Sequence, residues 1–284
     1  MSGESDALGA VETVLGVGVE SSVELDGGEV GTARRVDLAD GRTVVVKTGE
    51  TPLSVEASML RHLAAESDLP VPEVLAASDD LLVLEYVAGD GGVTPAVERD
   101  AAAHLASLHG VECDRCGFPF DTLSGTLEQP NPWTDSWVEF FGQQRLVRAA
   151  AAAREAGRLS LVDYERVTTL ACDLDSFLRE PDAPALVHGD VWEGNLVVDG
   201  DRVAAFLDPA CYYGHPEVDL AYVDWTDTFG EAFFARYRDL RGIEDGFFET
   251  RRDVYALYPI LEHAWFFGEG YAAEVDRILT KLGY

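Results

Sequence analysis

Alternating apolar and polar positions characterise the first third of the chain. The segment 29–49 contains two such runs, rich in β-branched residues and joined at Asp40-Gly41, a dipeptide typical of β-hairpin turns. Residues 54–67 place apolar side chains at helical spacing, and residues 81–87 form a short apolar run typical of a strand. The pattern predicts a β-rich region that contains one helix.

The pattern changes after residue 87. The segment 88–95 is rich in glycine, which indicates a hinge, and most of the chain beyond it has helical periodicity. The exception is 185–215, where two apolar runs flank Asp199-Gly200 and predict a single hairpin. We therefore expect an α+β fold with a small β-rich lobe, a hinge and a larger, mainly helical lobe, over residues 1–87, 88–95 and 96–284.

Composition restricts where the protein works. The chain has 284 residues, 47% of them hydrophobic, enough for one large domain or two lobes. No run of about 18 apolar residues is present, and the N-terminus lacks a basic segment followed by an apolar stretch. We therefore expect a cytoplasmic protein with neither a membrane span nor a secretory signal.

The net charge argues against two classes of partner. The 52 acidic residues outnumber the 21 basic ones, which gives a formal net charge of −31. A surface with this charge repels nucleic acid and anionic membranes. The acidic residues are spread along the chain rather than gathered in a tail, a composition that indicates a halophile, where salt in the cytoplasm screens their repulsion.

Lysine is almost absent from the chain. Lys47 and Lys281 are the only two lysines, and every other basic residue is arginine. A lysine retained at position 47, inside a β-rich run, indicates that a compact ammonium is needed there. Chance survival at a strand end is the alternative.

The four cysteines are too few for a disulfide framework in a chain of this size. Cys113 and Cys116 form a lone CxxC pair, without the second pair of ligands that a structural zinc site requires. Buried or incidental thiols are the favoured interpretation, and a zinc or redox site is the alternative.

Candidate chemistry concentrates at the hairpin predicted within 185–215. Asn195 and Asp208 stand at its two ends, so we expect their side chains to meet at one edge. Amide and carboxylate oxygens are hard donors, which Mg²⁺ takes beside water and phosphate. Asp190, just before the hairpin, is placed to accept a proton from a substrate hydroxyl.

The β-rich region adds a cation and its partner. Lys47 is on a predicted strand, and Glu56 is on the helix that follows. A strand lysine, a helix glutamate, an Asp-x4-Asn motif and a later aspartate are the components of phosphoryl transfer in kinase-type enzymes. Each component alone is weak, since a Lys–Glu pair is usually a surface contact. The complete set in this order favours a kinase.

Longer motifs carry a family resemblance. LVHGDVWEGN at 186–195 and FLDPACYYGHPEVDLAY at 206–222 closely resemble the fructosamine kinases, also called ketosamine kinases, within the aminoglycoside phosphotransferase and choline kinase group. LASLH at 105–109 resembles the wider group, whereas Trp192 and WVEFFGQQRL at 137–146 resemble the narrower family. The resemblance covers nearly the whole chain and implies a bilobal, protein-kinase-like fold.

The resemblance also implies an activity: ATP-dependent phosphorylation of a sugar hydroxyl, O3, on a small-molecule ketoamine or glycated amine, after which the adduct releases its amine. It implies that Asp190 is the catalytic base and that Asn195 and Asp208 bind Mg²⁺. Lys47 would anchor phosphate with Glu56 as its partner. Adenine would contact the residues just before the hinge, Glu85, Tyr86 and Val87.

The phosphate loop departs from the family pattern, because the usual compact Gly-rich turn has no clean match here. Gly28 is the candidate for close approach to nucleotide phosphate, with Gly27 and Gly31 beside it. Gly16 and Gly18 compete for the same role.

Residues around the catalytic segment have more than one interpretation. Trp192 either stacks on the sugar or packs in the pocket wall, and His215 is a second candidate substrate contact. His188 is expected to brace the loop through its ring, and Asp219 to brace it from the following segment. The aromatic run 265–267 is assigned to the core.

Three other functions compete with that of a ketoamine kinase. A kinase for an aminoglycoside, choline or another small alcohol shares the fold, but the DPACYYGH segment favours ketoamines. A catalytically inactive nucleotide-binding module commonly lacks one of the five components, and all five are present here. A protein kinase is disfavoured because HGD replaces HRD and no APE-like segment follows Asp208.

Overall fold

The computed structural model describes residues 2–25 and 31–284. Its N-terminal part is an antiparallel five-stranded sheet in the order β1-β2-β3-β5-β4. Two helices accompany the sheet, α1 (Ser2–Leu15) and α2 (Leu53–Glu66). The strands are β1 (Val19–Leu25), β2 (Gly31–Leu38), β3 (Thr43–Gly49), β4 (Val74–Ala77) and β5 (Leu82–Glu85). The turn predicted at Asp40-Gly41 connects β2 to β3, which confirms that hairpin.

Both faces of the sheet are apolar because a helix covers each one. Successive residues of a strand point to opposite faces. Val44 and Val46 on β3 therefore pack in the same cluster as Val11 of α1, whereas Val45 packs with α2. The same alternation places Lys47, two residues after Val45, on the α2 side of the sheet.

The prediction of one helix in this lobe is wrong, because α1 is a second. The helix buries Val11 completely and partly buries Leu8 and Leu15 against the sheet. Its helical pattern is weak in the sequence, since Gly9 interrupts it and apolar residues are few. Packing against the sheet therefore decides the conformation of this segment.

An irregular stretch, 86–94, connects β5 to the larger lobe, where the sequence predicted a hinge at 88–95. Thr94 caps the first helix beyond it, with Oγ1 accepting a hydrogen bond from the Val97 N–H at 3.4 Å. The helices of this lobe are α3 (Pro95–Leu108), α4 (Trp137–Phe140), α5 (Arg148–Glu155), α6 (Leu161–Cys172), α7 (Glu217–Trp225), α8 (Glu231–Arg241), α9 (Arg252–Phe267) and α10 (Glu269–Leu282).

Two π-helical segments lie within the helical lobe. Phe141–Val147 joins α4 to α5, and Phe247–Arg251 leads into α9. Within the described ranges, no helix has the length and apolar character needed to cross a membrane.

Three short antiparallel strand pairs interrupt the helices, where the sequence predicted a single hairpin. The predicted hairpin is present as β9 and β10, β8 and β11 enclose it, and β6 pairs with β7. Strands of three residues are too short for alternation to reveal them. The strands are β6 (Thr122–Ser124), β7 (Leu127–Gln129), β8 (Ala185–Val187), β9 (Leu196–Asp199), β10 (Arg202–Phe206) and β11 (Tyr212–Gly214).

Candidate active site

A cavity of about 990 Å³ is lined by residues of both lobes. The sheet and α2 line one side of the cavity. The β9–β10 hairpin and parts of α7, α9 and α10 line the other side. The structure brings most of the predicted site residues to this cavity: Lys47, Glu56, Glu85, Tyr86, Val87, Asp190, Trp192, Asn195 and Asp208.

The lysine that composition singled out lies between two carboxylates. Lys47 Nζ donates a hydrogen bond to Glu56 Oε1 at 2.8 Å and a second one to Asp208 Oδ1. The two acceptors come from different lobes, Glu56 from α2 and Asp208 from the segment after β10. One ammonium therefore joins the sheet to the hairpin across the cavity.

Burial and charge pairing act against each other in this group. Burial alone would lower the pKa of Lys47, but the carboxylates of Asp208 and Glu56 outweigh it and raise that pKa. Burial raises the pKa of Glu56 to about 7, against the opposing effect of Lys47. Burial also acts to raise the pKa of Asp208, but the nearby ammonium lowers it overall. The ammonium and the Asp208 carboxylate are thus held in their charged forms.

Asp190 and Asn195 are joined within one loop. Asn195 Nδ2 donates to the Asp190 backbone oxygen at 3.0 Å and to its Oδ2 at 2.8 Å. Both amide hydrogens are thereby used, which leaves Asn195 Oδ1 for another partner. Burial raises the pKa of Asp190 to about 7, and hydrogen bonds from Tyr222 and Asn195 oppose that shift.

The nested strand pairs bring this loop against the Asp208 segment. Two backbone hydrogen bonds extend the pairing beyond the β9–β10 hairpin. The Leu207 N–H donates to the backbone oxygen of Asn195 at 2.8 Å, and the Ala210 N–H donates to the backbone oxygen of His188 at 2.9 Å. Gly189 has a φ of +84°, and a Cβ there would lie 2.4 Å from the Ala210 oxygen. Only glycine permits this approach.

Asp219 on α7 braces the loop, as predicted. Its Oδ2 accepts the His188 N–H and its Oδ1 accepts the Gly189 N–H, both at 2.8 Å. His109 Nε2 lies 3.0 Å from the same Oδ2. His188 also has the predicted bracing role, because its Nδ1 accepts the Asp190 N–H at 3.3 Å and burial lowers its pKa to about 4. The neutral ring is thus available as an acceptor.

His215 does not line the cavity. The prediction that His215 contacts the substrate therefore does not agree with the structure. The ring lies between Trp137 and Tyr255, with centroid distances of 6.3 and 5.7 Å, and its Nδ1 accepts the Glu217 N–H at 3.2 Å. Burial lowers the pKa of His215 to about 4. Its role in this structure is packing.

Gly28, the predicted phosphate contact, lies outside the described residues, as does Gly27. Gly31 lines the cavity. Gly16 and Gly18 lie between α1 and β1, away from it. Of the competing glycines that are described, Gly31 is the one placed to meet a ligand.

Asn195 and Asp208 are chemically suited to Mg²⁺. Both present hard oxygen donors to the cavity, and two protein ligands suffice for a cation that completes its shell with phosphate and water. Within 2–25 and 31–284, no cluster of three or more His, Cys, Asp or Glu side chains could hold a metal by itself. The thiols of Cys113 and Cys116 are free, and burial raises the pKa of Cys116 to about 12.

Several cavity residues were not predicted from the sequence. Tyr222, which hydrogen-bonds Asp190, stands in the DLAY motif, and Glu262 is a carboxylate that follows the largely apolar run 254–261 of α9. Either feature is a usable signal. The helical pattern predicts Phe266 and Phe267 in the core, but both line the cavity, and Phe267 is 49% exposed. Helical periodicity does not separate a core face from a cavity face.

Comparison with known proteins decides the family. A sequence model of the fructosamine kinase family matches residues 9–283. The chain belongs to the fructosamine kinase family. It is 37% identical to a probable ketoamine kinase of Synechocystis, over 80% of this chain and 77% of that protein.

Solved structures agree with that membership. A candidate fructosamine-3-kinase from Thermobifida fusca is 28% identical, with a TM-score of 0.84 over 96% of this chain and 98% of that one. An aminoglycoside phosphotransferase in complex with AMP-PNP and hygromycin B is 18% identical, with a TM-score of 0.69 over 98% of this chain and 99% of that one. The latter likeness shows that the fold is the protein-kinase-like one.

We expect Asp219→Asn to destabilise the fold by about 1–3 kcal/mol, because one of two backbone N–H groups, the buried one of His188 or the partly buried one of Gly189, loses its acceptor. Turnover should fall with it, since the loop that carries Asp190 loses a brace. Thermal unfolding and steady-state kinetics measure both effects. Asp239→Asn, exposed on α8, is the matched control and should match the wild type. Wild-type stability in the Asp219 variant would contradict the bracing role.

Proposed function

We propose that this protein is an ATP-dependent kinase that phosphorylates O3 of a ketoamine, such as a ribulosamine or a fructosamine, and so promotes deglycation. The observation that carries the proposal is the joint presence of Asp190, Asn195, Asp208 and the Lys47–Glu56 pair in one cavity. Its relatives include a probable ketoamine kinase and a candidate fructosamine-3-kinase. Membership of the fructosamine kinase family favours this acceptor over an aminoglycoside or choline.

The lobes divide the work in this proposal. Residues 1–87 bind the nucleotide, 88–95 are the hinge, and 96–284 hold the catalytic hairpin and the acceptor. Ala33, Val45 and Leu84 line the cavity on the sheet side and Val197 and Leu207 on the hairpin side, an apolar slot suited to adenine. The adjoining backbone of Glu85, Tyr86 and Val87 supplies polar contacts to the base. Lys47 then meets the nucleotide phosphates.

Asn195 and Asp208 are the residues that would hold Mg²⁺. The bound cation supplies neutralising charge for the nucleotide phosphates. The chain's own part is to present Asn195 Oδ1, fixed by the two hydrogen bonds to Asp190, and the Asp208 carboxylate, kept ionised by Lys47.

Asp190 acts as the base for the acceptor hydroxyl. Its carboxylate lines the cavity, and its orientation is fixed by Asn195 and Tyr222. As O3 attacks the γ-phosphoryl group, Asp190 takes the hydroxyl proton, and ADP leaves with the bridging oxygen. Trp192, 40% exposed beside Gly194, forms the wall against which the sugar lies.

The protein is further proposed to work in a salt-rich cytoplasm. A net charge of −31 destabilises a compact chain through self-repulsion. Raising monovalent salt from about 0.1 M to about 1 M shortens the Debye length from ~10 Å to ~3 Å and so relieves this repulsion.

Two measurements at low and high KCl test both proposals: an ADP-release assay for activity and thermal unfolding for stability. Ribulosamines and fructosamines are expected to release ADP faster than aminoglycosides or choline, and phosphorus NMR should locate the product phosphate on O3. Activity and the thermal midpoint should rise with KCl. A preference for choline or an aminoglycoside would overturn the function, and a midpoint that falls with KCl would overturn the salt adaptation.

Asp190→Asn is expected to lower kcat by about 10²- to 10⁴-fold, the usual contribution of a general base. Nucleotide binding, measured by titration with a fluorescent ATP analogue, should stay near normal because Asp190 acts on the acceptor. Glu193→Gln, an exposed change in the same loop, is the matched control and should keep wild-type turnover. Equal kcat in the Asn variant would refute the base assignment.

Lys47→Arg should lower kcat/KM for ATP roughly tenfold or more. A planar guanidinium cannot occupy the place of a compact ammonium between Glu56 and Asp208. Lys281→Arg provides the control, since it changes the other lysine, on α10, in the same way. Unchanged nucleotide kinetics in the Lys47 variant would remove the argument from lysine scarcity.

A further inference from the structure

A series of buried polar side chains begins at the π-helical segment that joins α4 to α5. Arg145 donates to Asn131 Oδ1 at 2.5 Å, and Asn131 Nδ2 donates to Thr122 Oγ1 at 2.8 Å. Thr122 Oγ1 in turn donates to Gln129 Oε1 at 3.1 Å. The four side chains are each at most 2% exposed. The series therefore runs through the interior of the helical lobe.

The same series ends on a carboxylate at the cavity. Gln129 Nε2 donates to the Tyr258 hydroxyl at 2.6 Å, and that hydroxyl donates to Glu262 Oε1 at 2.7 Å. Each link donates in the same direction, from the guanidinium toward the carboxylate. Such a chain is cooperative, because every bond polarises the next. The series ends on the Glu262 carboxyl group, which lines the cavity.

The buried guanidinium at the start of the series is held by ring contacts and hydrogen bonds. Arg145 lies over the rings of Phe140 and Tyr212, at 4.6 and 4.1 Å from their centroids. In the described part of the chain, no carboxylate lies within ion-pair distance of it. Burial raises the pKa of Glu262 to about 7, whereas Tyr258, Ser124 and the charge of Arg145 act to lower it. A cation entering the cavity would complete the stabilisation of this carboxylate.

Glu262 lies on the acceptor side of the reaction centre. It lines the same cavity as Asp190, and the two carboxyl groups interact electrostatically. Tyr222 hydrogen-bonds Asp190. Burial is the main cause that raises the pKa of Tyr222, and the charges of Asp190 and Glu262 raise it further. An acceptor bound at Asp190 therefore shares its cavity with Glu262.

The chemistry of a ketoamine supplies the matching cation. The amine is attached at C1, so its nitrogen is separated from O3 by three carbon atoms. A secondary amine of this kind is protonated at neutral pH. It is the positively charged group of the acceptor itself, three carbon atoms from the reacting hydroxyl, and a buried carboxylate is its natural partner.

We propose that Glu262 binds the protonated amine of the acceptor and so selects ketoamines over neutral ketose derivatives. The inference rests on the proposed function and names the group by which that site recognises its substrate. It makes Glu262 a specificity residue, placed by the Arg145 series.

An aromatic cluster extends the subsite toward solvent. Trp225, His263, Phe267 and Tyr271 line the cavity, with centroid distances of 4.8 Å from Trp225 to His263, 5.0 Å from His263 to Tyr271 and 5.8 Å from Phe267 to Tyr271. Aromatic faces attract an ammonium and accept an apolar chain. The substituent on the amine lies along this cluster, and the exposure of Phe267 leaves it an exit.

The test compares two acceptors in two enzymes. One acceptor is a fructosamine with a small alkyl substituent, and the other is the same ketose with an ether oxygen in place of the amine. The wild type should prefer the amine by about 10- to 100-fold in kcat/KM, the size of a charge-assisted hydrogen bond. In Glu262→Gln that ratio should fall to near one, with the loss confined to the amine substrate. Gln keeps an oxygen for the Tyr258 hydroxyl.

Glu262→Asp, which keeps the charge, should retain part of the preference, and thermal unfolding shows whether each variant is folded. Equal kcat/KM for the two acceptors in the wild type would overturn the inference without any variant. An equal loss on both acceptors in Glu262→Gln would assign the residue to structure or to sugar hydroxyls and also overturn it. Failure of the wild type to phosphorylate either acceptor would instead refute the proposed function.

Discussion

One ammonium shared by two carboxylates is the contact on which the cavity depends. Lys47 reaches Glu56 on its own side and Asp208 on the other, so the sheet and the hairpin meet through a single side chain. Each of the three charges would be costly to bury alone. Together they form a group that keeps Asp208 ionised. In the proposed function, the same group directs the Lys47 ammonium toward nucleotide phosphate. The near absence of lysine elsewhere in the chain agrees with a specific requirement at this position.

A second carboxylate fixes the geometry that this group requires. Asp219 is fully buried and accepts two successive backbone N–H groups, those of His188 and Gly189. The turn it holds also depends on Gly189, because a side chain there would collide with the backbone of Ala210. Asp190 follows directly, so its position is set by backbone contacts and not by its own side chain alone. Rigid support of this kind is what precise proton transfer requires.

The acceptor side shows why overall charge is a poor guide to specificity. The chain is acidic throughout, so composition does not separate one cationic substrate from another. In the proposed recognition of the amine, discrimination comes instead from a buried carboxylate, because charge recognition is strongest where water is excluded. Glu262 is 4% exposed and is connected by hydrogen bonds to Arg145, whose own charge is buried at the far end. The series thus connects a buried guanidinium to a carboxyl group whose pKa burial raises to about 7.

The sequence by itself determined the two lobes, the β2–β3 and β9–β10 hairpins, the family and nine residues of the cavity. These follow from local signals, such as alternation, Asp-Gly turns and short motifs, that need no knowledge of distant neighbours. Tertiary structure alone decided that α1 is helical, that His215 is packed away from the cavity, and that Phe266 and Phe267 face it. The tertiary structure alone also shows the series of hydrogen bonds that connects Arg145 to Glu262. The reason is physical: periodicity records which side of an element is apolar, whereas packing decides whether that side meets a core, another ring or an open cavity.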